Sequence, residues 1–174
     1  MFTSDHGDCL TDHGHSQKWT MFEQITRVPL IISGPGIQAG AKINKLVQWM
    51  DIGPTILDLA GCESPSMEAE SMLPALKGDE SWKGRSYLFC EQVGDMVLTD
   101  AKFMTMIRDK KWKLIHFLDS EEGQLYNLMD DPMEMKNLWN SSDHQNQKDD
   151  LLLKILNWRV ASQLKHSDCW IYQN

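Results

Sequence analysis

The most informative stretch of the chain is residues 3–18, TSDHGDCLTDHGHSQK. This stretch is polar, rich in His and Gly and without a clear period, so it predicts a site-bearing loop followed by a short irregular helix. Residues 28–32, VPLII, are a compact apolar run closed by GPG at 34–36, which is typical of a buried strand and a turn. If the loop lies just past the carboxyl end of a strand, its side chains point into the crevice where α/β sheets bind ligands.

The first residues of the loop carry groups suited to metal and anion chemistry. Asp5 offers a hard carboxylate and His6 an imidazole, and together they can bind a divalent cation if they lie just past a strand formed by residues 1–4. Gly7 is expected to let the backbone turn away and leave room for ligands. Lys18 lies 13 positions after Asp5, and its ammonium is expected to return to the same crevice and stabilise charge on a leaving oxygen.

Two plainer interpretations of these residues stand beside the functional one. The three histidines among several aspartates also fit an exposed, adventitious transition-metal site or a solvated polar loop. Taken alone, Lys18 reads as an ordinary surface lysine. The combination of strand end, Asp5-His6-Gly7, Lys18 and the following strand is more specific than any of its parts.

Composition excludes several classes of partner. The chain has 174 residues and a formal net charge of −8, a poor match for a phosphate backbone, so no nucleic-acid partner is expected. Its longest apolar run, residues 28–32, is far short of the roughly 20 residues that cross a bilayer, so no membrane association is expected. The four cysteines are scattered and are predicted to be free thiols. No basic region followed by an apolar stretch marks an export signal, and the cellular compartment stays unknown.

The remaining pattern predicts two domains, residues 1–92 and residues 93–174. In the first we expect a helix over 51–60, capped by Asp51 and stopped by Gly61, then a helical turn over 71–77 and a strand over 86–91. In the second we expect a hairpin of strands 102–107 and 111–117, a third strand over 124–128, and a closing helix of roughly fifteen residues from Leu151 that packs on this small sheet.

These motifs together resemble the second metal-site region of the sulfatase family, within the alkaline-phosphatase-like superfamily. The matching segments cover nearly the whole chain; they are TSDHG at 3–7, Lys18, RVPLII at 27–32 with GPG at 34–36, VQWMDIGPTILDLAG at 47–61, LPALKG at 73–78 and QLYNLMDDPMEMKNL at 124–138. The resemblance implies the C-terminal part of an alkaline-phosphatase-like α/β fold, ending in a small antiparallel sheet packed by a C-terminal helix.

The resemblance also implies roles for individual residues. Asp5 and His6 would bind the active-site divalent cation, usually Ca²⁺ in sulfatases, and Lys18 would act as a catalytic residue that contacts the sulfate or its bridging oxygen. His13 would contact substrate as well. The implied substrate is a sulfate-ester small molecule or a sulfated saccharide. The Asp-His pair also resembles phosphonate monoester hydrolases and related phosphodiesterases, which often prefer Mn²⁺ or another transition metal, so the choice between sulfate and phosphonate stays open.

The sequence departs from the family pattern in what it omits. It contains no Cys/Ser-x-Pro-x-Arg motif, whose first residue becomes the formylglycine nucleophile of sulfatases, and no upstream Asp pair that would complete the metal site. We therefore expect a fragment of a sulfuric ester hydrolase that is inactive alone and binds metal weakly. A noncatalytic partner-binding domain is the alternative from another class, and an uncovered strand edge predicts a homo-oligomer.

Overall fold

A computed structural model describes the backbone of residues 1–94 and 100–171 and the side chains of the same ranges up to residue 164. The chain divides into two compact units, the first ending at Leu88 and the second beginning at Phe89. Among the described residues, no helix combines the length and the apolar character needed to span a bilayer. Cys9, Cys62 and Cys90 are free thiols, as predicted, whereas the side chain of Cys169 lies outside the described residues.

The first unit contains a two-stranded antiparallel sheet. Strand β1, Phe2–Thr3, pairs with β2, Leu30–Ile31, and the register places Phe2 opposite Ile31. The prediction of a buried strand over residues 28–32 was therefore wrong in length and in burial, because only two residues pair and Ile31 is 62% exposed. Between the strands lie a 3₁₀ turn at Asp12–Gly14 and the short helix α1, Glu23–Thr26.

Two further helices complete the first unit. Helix α2 spans Ile52–Leu59 and is followed, two residues on, by Gly61, whose φ of 70° suits glycine, which confirms the predicted stop. Helix α3 spans Leu73–Leu76. Asp51 occupies the N-cap position of α2, as predicted, but its side chain makes no capping bond to this helix. Its Oδ2 accepts the Gln48 N–H at 2.8 Å in the preceding 3₁₀ turn. The carboxylate is 2% exposed and also binds the Arg85 guanidinium through both oxygens.

The second unit is built on a four-stranded antiparallel sheet in the order β3-β4-β5-β6. The strands are β3, Leu88–Val93; β4, Phe103–Arg108; β5, Trp112–Phe117; and β6, Gly123–Asn127. The predicted hairpin and third strand are confirmed, and the segment predicted as a strand at 86–91 forms the outer strand β3. The register pairs Ile107 with Leu114 and Leu114 with Leu125, all three of them fully buried.

The closing helix packs on this sheet but is much longer than predicted. Helix α4 spans Gln145–Ile171 and contacts β4 and β5, burying Leu151 and Ile155. A 3₁₀ turn at Ser142–His144 leads into it, with the Ser141 hydroxyl 2.9 Å from His144 Nδ1. The helix thus begins at Gln145, before Leu151, from which it was predicted to start.

The second unit contains a buried ion pair between Lys113 and Glu134. Lys113, in the middle of β5, places its ammonium 2.8 Å from the Glu134 carboxylate, and both side chains are 0% exposed. Burial, reinforced by the negative charge of Glu134, raises the pKa of Tyr126, the residue opposite Lys113 on β6. Trp139 closes the edge beyond β6, where its ring lies against Gly123 and its indole N–H donates to the Glu121 carbonyl.

Candidate functional site

Close backbone packing fixes the position of the Asp5-His6 pair. Asp5 lies two residues after the end of β1. The next glycine, Gly7, donates its N–H to the Ile25 carbonyl at 2.9 Å. A Cβ at residue 7 would lie 1.8 Å from the Gln24 carbonyl oxygen. Gly7 is therefore needed for the close approach of two backbone segments, which differs from the predicted role of turning the chain away.

The hydrogen bonds of His6 determine which ring nitrogen is free to bind a ligand. Nδ1 lies 2.8 Å from the Gly7 carbonyl oxygen. Because a carbonyl oxygen only accepts, Nδ1 carries the proton, and in the neutral ring the lone pair is on Nε2. Nε2 lies 3.4 Å from a carboxylate oxygen of Asp5. The ring is thus held by the backbone with its basic nitrogen beside a carboxylate, the orientation that a metal-binding histidine needs.

Asp5 is set up to stay ionised. Its Oδ1 accepts the backbone N–H of His6 at 3.0 Å. That bond is the main cause that lowers the pKa of Asp5, and the nearby charge of the Lys18 ammonium lowers it further. The side chain is 73% exposed, so the carboxylate has room to bind a cation from solvent.

Lys18 returns to this pair, as the sequence predicted. Its Nζ lies 3.0 Å from His6 Nε2, so the ammonium donates to the lone pair of the ring. The intervening loop folds back on itself, with the Cys9 N–H donating to the Gln17 carbonyl at 3.0 Å. Asp5, His6 and Lys18 therefore form one cluster, in which two potential metal ligands lie beside a cation suited to an anion.

The other loop histidines have a different environment. The His13 ring stacks on Phe22 with centroids 3.8 Å apart and an interplanar angle of 4°. The His15 ring lies 6.2 Å from the same phenyl ring. The ring of His13 thus packs on the residue that precedes α1, and its contact with substrate stays a prediction. Phe22 was not predicted to pack against these histidines, although the sequence places this aromatic residue just before a short helix.

The donor set fits only part of a metal site. Within residues 1–94 and the described part of 100–171, no three His, Cys, Asp or Glu side chains lie close enough together to hold a metal ion. The chain offers one carboxylate and one imidazole, whereas Ca²⁺ takes six to eight oxygen ligands. The chemistry of Asp5 and His6 fits a divalent cation, but the remaining ligands would have to come from elsewhere.

Comparison with known proteins places this site in a family. Residues 11–161 match the family model described as N-sulphoglucosamine sulphohydrolase, C-terminal. Arylsulfatase K of Danio rerio is 32% identical over 173 residues, which are 95% of this chain and 32% of that protein. The structure of BT4656 in complex with its substrate, D-glucosamine-2-N,6-O-disulfate, superposes with a TM-score of 0.80 and 32% identity, covering 95% of this chain and 34% of the other.

A solved phosphonate hydrolase is similar as well. The phosphonate monoester hydrolase of Agrobacterium radiobacter has a TM-score of 0.81 and 28% identity, covering 92% of this chain and 34% of that one. The chain therefore belongs to the sulfatase family of the alkaline-phosphatase-like superfamily and corresponds to its C-terminal portion. It spans about a third of the length of the relatives it matches.

Proposed function

We propose that this chain forms the C-terminal portion of a sulfuric ester hydrolase and supplies part of its active site. Asp5 and His6 would provide two ligands for a divalent cation, Ca²⁺ in the first instance, and Lys18 would contact the ester being cleaved. The observation that carries the proposal is that His6 Nε2 lies 3.4 Å from the Asp5 carboxylate and 3.0 Å from the Lys18 ammonium. The chain alone is expected to be inactive, because its sequence lacks the nucleophile motif of the family.

The residues of the cluster would divide the work of ester cleavage. A bound divalent cation would supply Lewis-acid polarisation of an ester oxygen. The Gly7 carbonyl keeps the proton of His6 on Nδ1, so Nε2 stays available as a ligand. Lys18 would leave Nε2 when a cation binds there and donate to the sulfate or its bridging oxygen, where negative charge develops. A compact ammonium suits that task.

The proposed substrate is a sulfated saccharide or another small sulfate ester. The solved relative BT4656 binds D-glucosamine-2-N,6-O-disulfate as its substrate, which supports a carbohydrate sulfate for this chain. His13 is proposed to contact the substrate from its position in the loop. Its ring is held flat against Phe22, so its orientation is constrained before a ligand arrives.

Metal binding by the isolated chain tests the first half of the proposal. Isothermal titration with Ca²⁺ and with Mn²⁺ should show one weak site in the wild type. The site should be lost in Asp5→Asn and in His6→Asn, and it should persist in Asp143→Asn, a control at an exposed aspartate of the second unit. Equal binding by the wild type and by both site variants would refute the assignment of ligands.

Activity tests the second half, and it also separates the two ester classes. The phosphonate alternative is favoured by the similarity to a phosphonate monoester hydrolase. Any longer product of the same gene should be assayed on an aryl sulfate and on an aryl phosphonate, with Ca²⁺ and with Mn²⁺. Preference for the sulfate supports the proposal. Preference for the phosphonate supports the alternative, and turnover of neither ester by a protein carrying the nucleophile motif contradicts both.

Self-association is proposed to occur through the edge of the second sheet. Strand β3 is one of the two outer strands of the described four-stranded sheet, and Val93 at its end is 69% exposed. Such an edge can pair with a second chain. Sedimentation of the wild type and of Val93→Lys should show a dimer that the added charge weakens. A wild type that stays monomeric at high concentration would rule this interface out.

A further inference from the structure

The loop that carries Lys18 back to His6 is held in an unfavourable conformation. Four of its non-glycine residues have positive φ: Leu10 at 48°, Thr11 at 78°, His13 at 56° and Gln17 at 66°. Side chains with a Cβ rarely adopt this region, and such residues persist only when the surrounding structure holds them there. The loop therefore needs specific contacts to keep its shape.

One carboxylate connects the two ends of this loop. Asp8 Oδ1 accepts the backbone N–H of Leu10 at 2.8 Å and that of Gln17 at 3.2 Å. The Cys9 N–H donates to the Gln17 carbonyl at 3.0 Å, and the Cys9 side chain is 1% exposed. The start of the loop is thus anchored in the core, and Asp8 ties the end of the loop to that anchor.

The tie has a direct consequence for the site. Gln17 immediately precedes Lys18, so fixing the Gln17 amide fixes the point from which the lysine side chain departs. A lysine has four flexible methylene groups, and its ammonium can stay 3.0 Å from His6 Nε2 only if that point is constrained.

We infer that Asp8 is a positioning residue: its carboxylate clamps the two ends of the loop over residues 9–17 and thereby holds Lys18 at the Asp5-His6 pair. The inference rests on the proposed function of that pair. Asp8 acts through the loop backbone and needs only an acceptor oxygen, so Asp8→Asn should preserve the clamp and Asp8→Ala should release it. Asp12→Ala is the matched control, because Asp12 lies in the same loop but accepts from the Gln24 side chain.

The test uses isotope-labelled full chain and two measurements by NMR. Amide hydrogen exchange at Leu10 and Gln17 should be slow in the wild type, in Asp8→Asn and in Asp12→Ala, and roughly tenfold or more faster in Asp8→Ala, since each amide loses a charge-assisted bond. In the second measurement, Mn²⁺ should broaden the side-chain signals of both His6 and Lys18 in the wild type. In Asp8→Ala the broadening at Lys18 should fall while that at His6 remains.

Each outcome decides the matter. Unprotected amides at Leu10 and Gln17 in the folded wild type would overturn the clamp, even if Asp8→Ala does not fold. The same holds if Asp8→Ala leaves exchange or the broadening of Lys18 unchanged, or if Asp8→Asn behaves like Asp8→Ala. If Mn²⁺ fails to broaden His6 in the wild type, the proposed metal site fails, and the exchange measurement still decides the role of Asp8.

Discussion

Replacing Lys113 by Met should strongly destabilise the second unit. Lys113 and Glu134 are both 0% exposed and lie 2.8 Å apart, so removing the ammonium leaves a carboxylate buried without its cation. Breaking a buried pair in this way costs about 3–5 kcal/mol. Methionine has an unbranched side chain of nearly the same length and leaves the pairing of β5 intact. For a chain of this size, each kcal/mol lowers the unfolding temperature by roughly 2–4 °C, so a fall of about 10 °C is expected.

Urea unfolding followed by tryptophan fluorescence measures the loss, and hydrogen exchange of the β5 amides assigns it to the second unit. Glu134→Gln should also destabilise, and the double variant should lose less than the sum of the two single losses, because the partners interact directly. The control is Lys102→Met, which removes an ion pair of the same 2.8 Å length on the surface and should leave the midpoint unchanged. A Lys113→Met variant as stable as this control would refute the reasoning.

Three further changes test other parts of the structure. Gly7→Ala should lower stability by about 2 kcal/mol or more, because its Cβ would meet a backbone carbonyl oxygen at 1.8 Å, and a thermal unfolding midpoint equal to that of the wild type would contradict this. Burial raises the pKa of Tyr126 above 10.0 in the folded chain, so as pH rises the unfolded chain loses this phenolic proton first. The free energy of unfolding should therefore hold below pH 10 and fall as pH rises above it. Urea midpoints measured from pH 8 to 11 should show a shallower fall in Tyr126→Phe. Arg85→Met should unfold at lower temperature than the wild type because it strips the buried Asp51 carboxylate of its cation, and an unchanged melting curve would contradict this.

Short-range patterns were enough to predict the second sheet. The hairpin of β4 and β5 follows from two extended apolar runs joined by a polar turn, and the two strands pair antiparallel with Met104 opposite Phe117 and Arg108 opposite Lys113. The length of α4 was missed for a physical reason. Its first turns carry mainly polar residues, and among the described side chains of residues 145–164 only Leu151 and Ile155 are buried, so an apolar period marks less than the whole helix.

Long-range pairing explains what the sequence did not reveal. Asp51 has the position of a helix cap, and its partner Arg85 lies 34 residues away. Nothing in the local pattern distinguishes a capping carboxylate from one that binds a distant guanidinium. The same holds for Lys113, which lies among apolar residues of a strand. Its buried partner, Glu134, lies in a turn, where Glu134 itself has a φ of 56°.

The candidate site combines both kinds of information. Asp5 and His6 are adjacent, and their orientation depends on bonds within three residues, from the His6 amide to Asp5 and from the imidazole to the Gly7 carbonyl. That half can be predicted from sequence because its geometry is local. The position of Lys18 depends on a strained loop closed by Asp8, and no periodicity reports such a closure. A mutation that loosens the loop should therefore separate the two halves, leaving Asp5 and His6, the proposed metal ligands, in place while the Lys18 ammonium moves away.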